Sequence, residues 1–313
     1  GILSADQSPD GVIHARATPE AKLTIVRSWK QQGAVVAMTG DGVNDAPALR
    51  QADIGIAMGV RGTEIAKESA DMIITDDNFA TIVAAVEQGR IVVQNTMRFI
   101  HYLFSSNFSE IFLVFSTIAL GWPLPLGVLQ ILWVNLITDI FPAMALALEP
   151  SAPDVMTQMP RDPKAPIMTW QFGWLLAWQG LVLAGCALGA FAIGMRWYGR
   201  EGPGLPHAIT IAFMTLALTQ VFHAFNARSR TRSLFASKSR TNPWLWGSTA
   251  LCMGLQVAAV TIPALRSVLH TTPLTLADCL LIASAASVPM IVIELVKLTR
   301  HLRARDLIAA PSI

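Results

Sequence analysis

Six stretches of this 313-residue chain, at about 97–120, 126–148, 172–195, 207–226, 244–262 and 275–296, are each long and apolar enough to cross a bilayer. Hydrocarbon offers the backbone no hydrogen-bond partners, so such segments must satisfy their N–H and C=O groups internally, as helices. The composition agrees: 53% of residues are hydrophobic and 14% charged, where a soluble domain carries about 25% charged residues. A net charge of +2 supplies no basic field, so nucleic acid is excluded as a partner and the lipid bilayer is the expected one. Cys186, Cys252 and Cys279 fall inside apolar stretches without disulfide or zinc spacing and read as packing groups.

Lysine and arginine orient these spans. With the N-terminal region in the cytoplasm, the inner loops and tail hold Arg161, Lys164, Arg228, Arg230, Arg232, Lys238, Arg240, Lys297, Arg300, Arg303 and Arg305. The outer loops hold Arg196, Arg200 and Arg266. Eleven against three is the asymmetry that the positive-inside rule requires, and an even number of spans returns the tail, 305–313, to the cytoplasm. The chain opens at Gly1 with no cleavable signal, and reads as a piece of something longer. Gly185 and Gly189 form a G-x-x-x-G that predicts a close helix contact in the third span. Glu294 is expected to snorkel or to pair with Lys297, and His101 and His223 to be interfacial or packed histidines rather than ligands.

Residues 1–90 have a different character. Short apolar runs at Val12–Ala15, Ala34–Met38, Ile54–Met58 and Met72–Thr75 alternate with amphipathic stretches, which predicts an α/β domain with a parallel sheet. A helix is expected over Pro19–Gln32, with Thr18 as N-cap and Pro19 at the first helical position, and shorter ones over Ala46–Gln51 and Thr63–Ser69. From Phe79 to Phe115 no proline interrupts the pattern, so one helix is expected to run from this domain into the first span.

Two groups of polar residues stand out. In "MTGDGVNDAPALRQADIGIAMG", residues 38–59, Asp41, Asn44 and Asp45 follow an apolar run directly. Ligands of open α/β sheets bind at the carboxyl ends of strands, and oxygen donors there suit Mg²⁺ and phosphate. Asp-Gly and Asn-Asp are also ordinary turn sequences, and Lys22, in the first turn of the Pro19 helix, is either a solvated lysine or one that shares an anion with that helix end. In the first two spans lie Glu110 and Asp139, costly in lipid unless they face partners or ions. Asn107 lies three residues before Glu110, and Asn135, Thr138 and Asp139 sit at i, i+3 and i+4, so each group shares a helix face. Pro142, one turn after Thr138, frees a backbone carbonyl there. Such residues either hold a cation or form a hydrogen-bond cluster joining two helices.

The 38–59 run, followed by "DDNFATIVAAVEQGR", "NTMRFIHYLFSSN" and "WVNLITDIFPAMALALEP", closely resembles the C-terminal part of type II P-type ATPases, nearest to the calcium pumps, and covers essentially the whole chain in order. The resemblance implies a membrane protein: a partial α/β haloacid-dehalogenase-like phosphorylation domain (1–90), then a six-helix transmembrane bundle (91–304) equivalent to the family's fifth to tenth spans. It makes Asp41 a Mg²⁺ ligand, gives Asn44 and Asp45 the organisation of the phosphoryl group, and has Lys22 hold a phosphoryl oxygen. It makes Asn107, Glu110, Asn135, Thr138 and Asp139 ligands of the transported ion. Gln220 stands where two-site calcium pumps usually carry glutamate, which weakens a second calcium site. Ca²⁺ is the favoured ion, with Mn²⁺, Na⁺ or K⁺ as alternatives, and the setting is the plasma membrane of a bacterium. The family's phosphorylated Asp-Lys-Thr-Gly, its nucleotide-binding domain, its Thr-Gly-Glu loop and its first four spans do not occur here. ATP would therefore be bound mainly by an N-terminal part of the pump outside this sequence, and this chain is expected to be inactive by itself. An inert or regulatory fragment of a split gene, or a membrane-anchored phosphatase using the Asp41 crevice, are the alternatives.

Overall fold

A computed structural model describes residues 17–152, 154–159, 161–162, 165–229 and 242–309. Chain contacts divide it into two units, Gly1–Gly89 and Arg90–Ile313.

In the first unit, α1 (Pro19–Gln31) starts as its sequence dictates: the Thr18 hydroxyl accepts the Ala21 N–H at 3.3 Å and Pro19 occupies the first turn, where its missing N–H costs nothing. Three strands, β1 (Ala37–Gly40), β2 (Ile54–Met58) and β3 (Met72–Ile74), form a parallel sheet in the order β1-β2-β3, with Thr39 opposite Ile56 and Met58 opposite Ile74. Parallel neighbours need crossovers. Here α2 (Ala46–Gln51) and α3 (Glu64–Ser69) supply them, and Leu49, Ala57 and Ala66 form the buried centre. The strand expected at Val12–Ala15 lies outside the described residues. The one expected at Ala34–Met38 pairs only from Ala37, because the Val36 carbonyl already accepts the N–H groups of Asp53 and Ile54 (2.9 and 3.2 Å) while the Asp53 carboxylate takes the Val36 N–H at 2.9 Å.

The second unit is helical. A single helix, α4 (Phe79–Ala119), carries the chain without a break for 41 residues, as the unbroken pattern from Phe79 implies. Next come α5 (Val128–Trp133), a π-helical segment (Val134–Thr138) and α6 (Ile140–Ala147), then α7 (Trp170–Tyr198), α8 (Leu205–Ala227), α9 (Pro243–Thr261), α10 (Pro263–Leu269) and α11 (Leu276–Ala309). Among the described residues five helical segments are long and apolar enough to cross a membrane: Phe79–Ala119, Val128–Ala147, Trp170–Tyr198, Gly202–Ala227 and Leu276–Arg300. The sixth span expected at 244–262 differs. α9 qualifies only together with α10, and the two bend by 86°. Pro263 is the cause, since it has no N–H to continue the ladder and disfavours a helical residue before it. Among the described residues the candidate spans thus number five, or six if the bent pair counts as one.

α8 is the centre of this unit. In its most apolar window 83% of residues are buried, against 28–44% in the other four segments, and its sequence is apolar all round, as a helix surrounded by others must be. Close packing of α7 against α4 relies on a glycine other than the predicted pair. Gly185 and Gly189 have no neighbour within 4 Å of a built Cβ, so the G-x-x-x-G is not a contact. At Gly180 a Cβ would lie 2.8 Å from the Phe108 Cβ and 3.0 Å from the Ser105 carbonyl oxygen. Of the three cysteines, Cys252 is buried but Cys279 is exposed on α11. Gly180→Ala should overpack the α4–α7 contact and destabilise the protein by about 1–3 kcal/mol, lowering the midpoint of a detergent thermal-unfolding scan, whereas Gly185→Ala should leave that midpoint unchanged.

Candidate functional sites

The first site lies at the carboxyl end of β1. Asp41 and Gly42 leave the strand and a short 3₁₀ turn, Val43–Asp45, leads into α2. Asp45 turns inward and is 6% exposed. One of its oxygens accepts the Lys22 ammonium at 2.7 Å, and the other accepts the N–H groups of Asp41 and Gly42, each at 3.3 Å. Burial alone pushes the Asp45 carboxyl up, but the Lys22 hydrogen bond, the two amides and the lysine charge outweigh it and hold the carboxyl below the usual aspartate range. Gly40 is required by this arrangement, because a Cβ there would sit 2.5 Å from the Asp45 Cβ. The Asp41 carbonyl is fixed in turn by the Thr63 N–H at 2.8 Å.

The three polar residues grouped by sequence therefore divide. Asp45 is the internal clamp, while Asp41 and Asn44 are exposed at the strand end and Lys22, bonded to Asp45, is partly exposed. One free carboxylate with a nearby amide suits Mg²⁺, which keeps several waters and takes further oxygens from phosphate. Among the described residues no three His, Cys, Asp or Glu side chains gather as a metal cage.

The second site is buried between α4, the 134–139 segment and α8. The π-helical turn makes the Asp139 N–H bond to the Val134 carbonyl five residues back, at 3.1 Å. Pro142 has no N–H to offer, and the Thr138 carbonyl accepts the Tyr102 hydroxyl at 2.9 Å instead, while the Cys252 thiol donates to the Ile137 carbonyl at 3.3 Å. The same Tyr102 hydroxyl is 3.4 Å from one Asp139 oxygen, and the other Asp139 oxygen is buried with no hydrogen-bond partner. Glu110 is held from two sides, by Asn135 Nδ2 at 2.9 Å and Gln220 Nε2 at 3.1 Å. Gln220 Oε1 and the Ser106 hydroxyl oxygen are buried without partners, and the Thr138 hydroxyl is spent on the Val134 carbonyl at 2.7 Å. The cluster thus presents more oxygens than donors. Its geometry can accept a proton or a hard cation.

Glu110 is brought together with Asn135 of the 134–139 segment and with Gln220, which only the resemblance had pointed to. Asn107 is not. It is exposed and donates to the Leu103 carbonyl at 2.7 Å on its own helix. The buried stripe of α4 runs through Tyr102, Ser105, Ser106, Ser109 and Glu110, and Asn107 sits about 60° round the helix from Glu110. Sequence reading passed over Tyr102 and Ser106, although they stand eight and four residues before Glu110 on the same face. It also treated Arg228 and Lys297 as topology charges. Both are in ion pairs, the partly buried Arg228 with Glu149 at 2.7 Å and the buried Lys297 with the expected Glu294 at 2.8 Å, and Asn242 holds the other Glu149 oxygen at 2.8 Å. The rest of the basic loop, 230–240, lies outside the described residues.

Known proteins share this pattern. Residues 123–299 match the family model for the C-terminus of cation transporting ATPases, and residues 2–53 match haloacid dehalogenase-like hydrolases. The chain is 41% identical over 300 residues to calcium-transporting ATPase 1 of Bacillus cereus, covering 92% of this chain and 34% of that protein. It is 41% identical over 291 residues to the calcium-transporting ATPase of Bacillus subtilis (93% and 32%), and 36% identical over 341 residues to the endoplasmic reticulum-type calcium-transporting ATPase 4 of Arabidopsis thaliana (91% and 32%). It spans about a third of the length of these relatives. A multi-pass helical unit preceded by a dehalogenase-like segment, with both family models in that order, places the chain among the P-type cation-transporting ATPases, of which it corresponds to the C-terminal portion.

Proposed function

We propose that this chain is the C-terminal part of an ATP-driven pump that exports Ca²⁺ across a bacterial plasma membrane, with the first unit and the tail in the cytoplasm. The observation that carries the reading is the buried cluster. Two carboxylates, Glu110 and Asp139, lie in a helical unit where charge is costly, and Asp139 keeps one oxygen unpartnered. Carboxylate, amide and hydroxyl oxygens around one point suit a hard cation, and the names of the relatives favour calcium over Mn²⁺, Na⁺ or K⁺. Gln220, an amide where a further carboxylate would stand, favours one cation per cycle. Asn107 would join the set only with a group from outside this chain.

The crevice at β1 supplies the phosphate chemistry in this reading. Mg²⁺ at Asp41 would neutralise phosphoryl oxygen charge, and ATP would be held mainly by the part of the pump beyond this chain. Asp45 positions Lys22 by its 2.7 Å bond, which would hold the ammonium ready for a phosphoryl oxygen at this end of the sheet. The same aspartate fixes the backbone amides on which the loop turns.

Two measurements test these assignments. In the complete pump, Asp139→Asn and Glu110→Gln should each raise the calcium needed for half-maximal ATPase activity by roughly 10–100-fold, while parallel assays with Mn²⁺, Na⁺ and K⁺ read the ion preference. Unchanged calcium stimulation in both variants would remove the cluster from transport. For the clamp, the lowered Asp45 carboxyl contributes stability that is complete above about pH 4 and is lost as the pH falls through its lower folded value. Asp45→Asn should therefore speed amide exchange at Asp41 and Gly42 at pH 7, and the difference from wild type should shrink in acid.

A further inference from the structure

We infer that the groove between α5 and α10 is a phospholipid site, in which one acyl chain lies along α5 and the lipid phosphate is held by Arg266. Such a site goes beyond the pump reading and is indifferent to which ion is carried.

The groove follows α5 into the π-helical turn. Leu129, Leu132, Trp133 and Leu136 line one wall, Val268 and Leu269 of α10 line the other, and the space between them is about 190 Å³. From Leu129 to Leu136 it is about 10 Å long at the helical rise per residue. Its walls are fixed by the protein itself. Gln130 Oε1 accepts the Gly127 N–H at 3.0 Å, and Gln130 Nε2 donates to the Leu269 carbonyl at 3.0 Å, which ties the end of α10 to the start of α5. His270 closes α10 in the left-handed conformation, with φ 53°, and the Thr271 hydroxyl donates to the Ala259 carbonyl at 2.6 Å, tying the turn back to α9.

The lining selects the ligand. Leu129, Leu132, Leu136 and Val268 are each about half exposed, in a helical unit built of membrane spans, so hydrocarbon is the solvent they meet. Water finds no hydrogen-bond partner on these side chains, and an empty groove forfeits van der Waals contact along both walls. An alkyl chain recovers that contact. Two donors stand out against the apolar lining: the Trp133 indole N–H and Arg266 Nε are both buried without a partner. Neither side chain can accept a hydrogen bond, so each lacks an acceptor, and a buried unmet donor costs free energy. Helical side chains lean toward the helix N-terminus, which carries the Trp133 indole toward the end of the groove where α5 begins. Arg266 stands one turn before Leu269 on the same face of α10, where the chain bends by 86° from α9 before returning in α11. Asp278, the acid at the start of α11, is already engaged by His207, Tyr198 and Thr275. A phospholipid brings the missing groups in one molecule: methylenes for the leucines, an ester carbonyl for the indole, and phosphate oxygens for the guanidinium fork. In the orientation proposed above it belongs to the outer leaflet.

The test uses this chain in nanodiscs of phosphatidylethanolamine and phosphatidylglycerol, with a trace of phosphatidylglycerol that carries a photoactivatable diazirine on one acyl chain. After irradiation, peptide mass spectrometry should find the label concentrated on 129–136 and 268–269, above the bulk-lipid level read at the exposed Leu280, Ile291 and Leu295 of α11. Arg266→Gln should lower the groove label roughly tenfold, and Arg266→Lys should restore part of it. Val268→Trp, which fills the groove from an exposed position, should abolish it. Wild-type label no stronger in the groove than on α11 overturns the proposal without recourse to any variant. Label that Val268→Trp abolishes and Arg266→Gln leaves unchanged reveals a bare hydrocarbon slot and overturns the phospholipid assignment. Label present in this chain and lost in the complete pump assigns the groove to other spans of the pump, and overturns it as well.

Discussion

A carboxylate sunk among apolar helices is the constraint on which the helical unit turns. Asp139 enters the interior directly after a π-helical turn, in a stretch where Pro142 has removed one backbone donor. The local ladder therefore has carbonyls to spare, and side chains from two other helices, Tyr102 on α4 and Cys252 on α9, are recruited to them. Irregular backbone inside a membrane unit survives only when protein groups satisfy it, and here the satisfying groups also frame the carboxylate. The irregularity and the acidic residue depend on each other. A regular helix would present Asp139 without the freed carbonyls, and the freed carbonyls would be orphaned without Tyr102.

Glu110 shows the complementary arrangement. Its oxygens are both engaged by amides, one from the 134–139 segment and one from the central helix α8. Neutral amides hold a carboxylate without cancelling its charge, so the negative field of the site is preserved while its geometry is fixed. That combination separates the cluster from the ion pairs elsewhere in the unit, Arg228 with Glu149 and Lys297 with Glu294, in which a cationic side chain neutralises the acid directly. The pairs brace helices. The cluster retains a charge that something else must meet.

The soluble unit solves a related problem at its surface. Asp45 collects one lysine and two backbone amides, and in doing so leaves Asp41 and Asn44 turned outward at the end of β1. Gly40 permits this by leaving room where any side chain would collide with Asp45. The loop is thus shaped by an acid that faces inward, and its chemistry belongs to the neighbours that face out.

Much of this was legible in the residues. Apolar length determined five of the six expected spans, Thr18-Pro19 the start of α1, and the i, i+3, i+4 spacing of Asn135, Thr138 and Asp139 their common face, because each of these is a local property of chain geometry. Tertiary structure decided the rest, where the outcome depends on a partner distant in sequence. It turned Asn107 out of the cluster and Ser106 in, moved the close helix contact from Gly185 and Gly189 to Gly180, and divided Asp41 from Asp45. No spacing rule reports which of two neighbouring faces will be covered, since that is settled by the shape and hydrogen bonds of whatever packs against it.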